Sequence, residues 1–281
     1  MERAYTLGLY EKAMPSDLTW REKLLAAKEA GFDFVEISID ETDAKLSRLD
    51  MTKEERFGLV RLMQETGVPI RTMCLSGHRK YPLGSSDPAV EARGIEIMEK
   101  AIRLAEDLGI RIIQLAGYDV YYEESTFETK KRFLANLKKA ADMAAKAGVT
   151  MGFETMENEF MNTVEKAMKY VTLVGSPYLN VYPDIGNITN AAKTYENDVL
   201  EDLELGKGHI VAMHLKETVP GKFREIPFGT GHVDFESAVT KAWELGVRKY
   251  VTEFWYTGNP GWKEDLTFAN EMFTRILNGR G

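Results

Sequence analysis

"KAGVTMGFET", residues 146–155, joins the end of one helical pattern to the start of a strand. A helical pattern runs into glycine, which accepts the left-handed backbone of a helix stop, and a short apolar run follows that ends on a glutamate. The same phrase recurs as "EAGFDFVEIS" (29–38), "ETGVPIRTMCLS" (65–76), "DLGIRIIQLAG" (107–117) and "ELGVRKYVTEF" (244–254). Completing the set, eight strands are predicted at 5–10, 33–38, 70–76, 111–117, 150–155, 179–184, 210–216 and 249–255, from β-branched and aromatic runs. Amphipathic patterns such as "TKEERFGLVRLMQETG" and "ETKKRFLANLKKAADMAAKAG" separate them, with apolar residues three and four apart. Strand–helix alternation on this scale predicts an α/β fold, a (β/α)₈ TIM barrel, as a single domain over residues 1–281. An open doubly wound sheet is the lesser alternative, and no G-x-G-x-x-G follows the first strand to support a dinucleotide site.

Composition narrows the function classes. The chain has 281 residues, a formal charge of -8 and only four histidines. Such a surface repels polyanions, which argues against a nucleic-acid partner. Its one cysteine, Cys74, has no disulfide partner within the chain and sits in an apolar run, so it reads as an inert core residue. "MERAYTLGLY" lacks a signal-peptide h-region, and no run approaches membrane-spanning length. A cytoplasmic protein with no membrane partner is expected, and a homodimer is its base-rate assembly.

In a barrel of this kind the carboxyl ends of the strands converge on one face, where polar residues read as site. Strand five ends in Glu154, strand six in Asp184, strand seven carries His214, and strand eight reaches Glu253. Gathering these carboxylates at one mouth without a cation costs several kcal/mol in repulsion and lost hydration, so a divalent metal is expected there. Three carboxylates and an imidazole suit Mn²⁺ or Mg²⁺, while the nitrogen keeps Zn²⁺ and Co²⁺ open. Glu154 and Glu253 are also the expected proton carriers, because the longer arm can reach both ion and substrate. Expected substrate contacts are Glu36, His78, Gln114, Asn187, Lys216 and Arg224 at or near other strand ends. Glu36 and Gln114 read equally well as groups that orient a neighbour. The glycine loop "PFGTGH", ending in His232, reads as a site for a phosphate held by backbone amides together with Lys216. His209, at the amino end of its strand, reads as structural.

Six motifs in order, "LGLYEKAMP", "FDFVEISIDETDAKLSRLD", "MCLSGHRKYPLGS", "IQLAGYDVYYEEST", "VYPDIGN" and "PFGTGHVDF", closely resemble the L-ribulose-5-phosphate 3-epimerases, also called L-xylulose-5-phosphate 3-epimerases, of L-ascorbate utilisation. The resemblance covers about Leu7 to Trp255. It implies a xylose-isomerase-like barrel, a divalent metal held by Glu154, Asp184, His214 and Glu253, and a small sugar-phosphate substrate epimerised at C3. One departure is Asn187, where relatives acting on free ketoses have histidine. The resemblance also leaves two alternatives: an aldose–ketose isomerase such as a hexulose-6-phosphate isomerase, and an epimerase of unphosphorylated ketoses.

Overall fold

A computed structural model describes residues 3–280. Its eight strands are β1 Thr6–Tyr10, β2 Phe34–Ile39, β3 Ile70–Leu75, β4 Ile112–Ala116, β5 Thr150–Glu154, β6 Leu179–Val181, β7 Met213–Leu215 and β8 Lys249–Thr252. All pair in parallel, in the order β6-β5-β4-β3-β2-β1-β8-β7. Between β6 and β7 there is no ladder. Isolated parallel bridges Val181–Ile210 and Asp184–His214 close that seam. The bonds are Val181 N–H to His209 O at 2.9 Å, Val211 N–H to Val181 O at 3.0 Å, and His214 N–H to Pro183 O at 2.9 Å. The expected (β/α)₈ barrel is therefore present.

Every predicted strand exists, but β6 and β7 are about half the length read from the sequence. Pro183 has no N–H to give a ladder, and Asp184 turns the chain into the helix Ile185–Tyr195 as its N-cap. In the opening stretch, Gly148 ends the helix Phe127–Ala147 at φ 66°, as its position before β5 requires.

Alternation along the strands divides the core. Val35, Ile37, Met73, Ile113, Leu115, Met151 and Phe153 pack outward among helix residues such as Leu104, Leu137 and Phe273. Tyr10, Phe34, Cys74, Ile112, Tyr182 and Val251 form a separate cluster. By the same alternation, Glu36, Gln114, Glu154, His214 and Glu253 share the interior with that second cluster. Gly152 makes room there, since a Cβ on it would lie 2.9 Å from Cβ of Tyr182. The interior therefore changes from apolar to polar toward its carboxyl end.

Candidate active site

Asp184 shows how local chain chemistry creates the site. Its Oδ1 accepts from Asn187 N–H at 2.8 Å and so caps the helix Ile185–Tyr195. Thr155 Oγ1 receives the Asp184 N–H at 3.0 Å, which fixes the turn. With one oxygen committed to the cap, Oδ2 is left 2.7 Å from Lys216 Nζ, without a well-aligned hydrogen bond. Gly186 lets the chain from β7 pass close by, because a Cβ there would sit 2.7 Å from Lys216 O.

Glu154, Asp184, His214 and Glu253 each offer one ligand atom, all within 4.8 Å of one another, and all four residues are buried. His214 Nδ1 faces this group, 3.0 Å from Glu253 Oε2 and 3.6 Å from Glu154 Oε1. Asp184 Oδ2, His214 Nδ1 and Glu253 Oε2 are buried without a hydrogen bond of good geometry. Three unsatisfied ligand-type atoms converging among buried side chains fit a divalent cation, which would satisfy all of them together.

The electrostatics agree. Burial lifts the Glu154 carboxyl above the usual carboxylate range, and the charge of Glu253 adds to the rise. Burial likewise raises Asp184 far, against the opposing pull of Lys216. Burial would also raise Glu253, but Lys216 and His214 outweigh it and hold that carboxyl well below its ordinary value. The group thus retains protons that an ion would displace.

The other expected residues divide. Asn187 lines the cavity: its Nδ2 donates to Thr155 O at 2.7 Å, and its Oδ1 is buried and unpaired. Lys216 and Arg224 line it too. Three expected substrate contacts are placed elsewhere. Glu36, fully buried, accepts from His214 Nε2 at 2.6 Å and from Tyr182 Oη at 2.9 Å, so it serves a neighbour. Gln114 is fully buried and donates through Nε2 to Glu154 Oε2. His78 turns inward, its Nε2 3.0 Å from Gly94 O, because the short turn Gly77–Arg79 sends the next residue, Arg79, to the cavity instead.

The glycine loop is not an open anion site. The carboxylate of Glu217 already accepts from the N–H groups of Thr218 (3.1 Å), Gly229 (3.0 Å) and Val233 (3.2 Å), and His232 Nε2 pairs with Thr218 Oγ1 at 3.0 Å. Lys216, the expected partner of that phosphate, is engaged with Asp184 and lies 3.6 Å from Glu253. His209 is structural, as expected, with Nδ1 3.2 Å from Asn180 Oδ1.

Cationic chemistry instead collects on the far wall of the cavity, which holds about 230 Å³ and is also lined by Lys12, Arg79, Glu157 and Trp255. Arg79 and Arg224 lie 3.7 and 3.8 Å from Glu157 Oε1, too far for hydrogen bonds, while Arg79 donates through Nη2 to Tyr118 Oη at 3.1 Å. Arg79 Nε is buried and unpaired. Glu157, Lys12 and Trp255 escaped the sequence reading because each lies just past a strand end, where only position on the barrel rim marks it.

A parallel eight-stranded barrel with buried acidic and histidine ligands at its carboxyl mouth defines the class of xylose isomerase-like TIM barrels, and the model of that family matches residues 24–272. The chain belongs, within that class, to the L-ribulose-5-phosphate 3-epimerase family. It is 50% identical over 256 residues to the L-ribulose-5-phosphate 3-epimerase UlaE of Salmonella paratyphi C (strain RKS4594), covering 91% of this chain and 89% of the relative. Identity to the enzyme of the same name from Escherichia coli (strain SMS-3-5 / SECEC) is 49% over the same coverage. Among solved structures, a D-psicose 3-epimerase determined in the presence of D-fructose is similar in fold, with a TM-score of 0.81 at 15% identity over 98% of this chain and 99% of that one.

Proposed function

We propose that this chain is a divalent-metal-dependent 3-epimerase that interconverts L-xylulose 5-phosphate and L-ribulose 5-phosphate. The observation that carries the reading is the buried convergence of Glu154, Asp184, His214 and Glu253, in a chain half identical to L-ribulose-5-phosphate 3-epimerases. These four residues would hold the ion, with Mn²⁺ or Mg²⁺ favoured by the three carboxylates and Zn²⁺ or Co²⁺ admitted by the imidazole. When bound, the ion supplies Lewis-acid polarisation of the substrate's C2 carbonyl.

The chain's own residues move the proton. Epimerisation removes the proton at C3, alpha to the carbonyl, and returns one to the opposite face of the planar enediolate. Two carriers must flank that plane. Glu154 and Glu253 come from β5 and the end of β8, and their environments push their proton affinities apart, up for Glu154 and down for Glu253. That contrast belongs to the site without its ion; with the ion bound, its charge would act on both carboxylates, and one of them would take the C3 proton while the other returns one to the opposite face. Gln114 fixes one oxygen of Glu154 and leaves the other toward the site. Lys216 keeps Glu253 ionised, and Asn187 Oδ1 offers an acceptor to a substrate hydroxyl.

The phosphate lies against Arg79, Arg224 and Lys12 rather than in the glycine loop, since guanidinium forks meet phosphate oxygens in pairs. Residues 1–281 act as one domain. A homodimer in the cytoplasm is the working assembly, which light scattering and fractionation would read. No helix among the described residues is long and apolar enough to cross a membrane.

Proton NMR of L-xylulose 5-phosphate in D₂O tests the reaction. Deuterium should enter at C3 as the ribulose isomer appears, and a chelator should stop it. Exchange at C1 would instead assign an aldose–ketose isomerase, and equal turnover of the unphosphorylated pentulose would contradict the phosphate placement.

A further inference from the structure

Glu36 is a buried carboxylate that the reaction above does not use. It stands on β2, and its side chain meets residues from the opposite wall: Oε1 lies 2.6 Å from His214 Nε2, and Oε2 accepts from Tyr182 Oη at 2.9 Å. All three residues are fully buried, and the Tyr182 and His214 rings lie 4.8 Å apart. The contact bridges the weakest line of the barrel. Tyr182 follows β6, His214 belongs to β7, and the backbones of these two segments pair through isolated bridges rather than a ladder. An acceptor on Nε2 keeps a proton on that nitrogen, so Nδ1, turned toward Glu253 and Glu154, is the nitrogen left to give its lone pair to a bound cation.

We infer that Glu36 and Tyr182 form a positioning pair: Glu36 holds His214 with Nδ1 presented to the cation, Tyr182 holds Glu36, and together they keep the two sides of the seam in register for binding. Tyr182 secures the second oxygen of Glu36, so the carboxylate cannot rotate away from the imidazole. Gly152 permits this, since a side chain there would meet Tyr182 and Val211, both at 2.9 Å. The inference rests on the metal reading of the site but needs no substrate for its test.

Titrating the full-length apoprotein with Co²⁺ by calorimetry, and recording the visible absorption of bound Co²⁺, reads affinity and ligand geometry directly. Glu36→Gln keeps an oxygen acceptor and the side-chain shape but removes the charge. It should weaken Co²⁺ binding about 10- to 100-fold and alter the absorption band, the range expected when the partner of a ligating histidine is changed. Tyr182→Phe keeps the ring packing and should give a smaller loss of the same kind. It decides the matter alone if Glu36→Gln does not fold. Wild-type affinity and an unchanged spectrum in the folded variants, even with a lowered melting temperature, would overturn the inference and reduce the pair to a structural role. A wild-type protein that binds no Co²⁺ would overturn the metal reading, and this inference with it.

Discussion

Single residues should fail in separable ways. Glu154→Gln and Glu253→Gln each remove a proton carrier and should lower kcat by about 10²- to 10⁴-fold, measured with saturating metal so that lost affinity is not mistaken for lost chemistry. Arg79→Ala should instead raise KM for the phosphorylated pentulose with a smaller change in kcat, and an unchanged KM would move the phosphate elsewhere. The four candidate ligand residues were legible in the sequence because each lies within two residues of a predicted strand's carboxyl end, and barrel geometry brings those ends together whatever their spacing along the chain. Glu36, Gln114 and His78 were harder. Strand periodicity puts Glu36 and Gln114 inside the barrel but does not say how deep, and depth separates a residue that touches substrate from one that touches Glu154 or His214. For His78, one residue of phase in a short turn decides between it and Arg79.

Elements carry the acid response. After β1 the chain makes a short turn, Glu11–Ala13, whose buried Glu11 meets Lys23, Lys45 and Arg48 and accepts from Ser38 N–H at 2.9 Å. Burial would raise its carboxyl, but Arg48 and Lys45 outweigh that and bring it down to about 2. Burial lowers Lys23 and Lys45 as well, so the cluster as a whole stabilises less than the Glu11 shift taken alone. A carboxyl depressed in the fold stabilises fully above its unfolded value near 4.5 and loses that contribution as pH falls toward about 2. His78 acts earlier in the same descent. Burial lowers it to about 4 from 6.5, partly opposed by Gly94 O, so the fold holds it neutral and stability declines as pH drops from 6.5 to about 4. Denaturant titrations should show two successive losses, of at most about 3 kcal/mol each for shifts of this size. His78→Gln should flatten the first of them. Glu11→Gln should cost about 3–5 kcal/mol at pH 7 by leaving buried cations unpaired. The loop after β7 is equally specific: in Gly231→Ala the new Cβ would lie 2.2 Å from Thr218 O, so a loss of about 1–3 kcal/mol is expected from overpacking. The predicted anion role of this loop failed because the sequence did not reveal that Glu217, the neighbour of Lys216, folds back onto its amides.

For the whole molecule, the eightfold repetition was the most legible feature, since each glycine stop and apolar run announces one unit independently of the others. The seam was not legible. "LNVYPD" and "IVAMHLK" read as full strands, yet Pro183 and the capping role of Asp184 end β6 early, leaving bridges where the other strands form ladders. Amides of Val181, Val211 and His214 should therefore exchange with deuterium faster than those of β2 to β4, and metal should slow them, because its ligands stand on both sides of the seam. Equal protection around the barrel would remove the seam from the account. The most direct test of the central claim is an anomalous difference map from a crystal soaked in Mn²⁺. One peak should appear within ligand distance of Glu154, Asp184, His214 and Glu253 together. A map with no peak there, or with the ion held by other side chains, would contradict the site and the chemistry built on it.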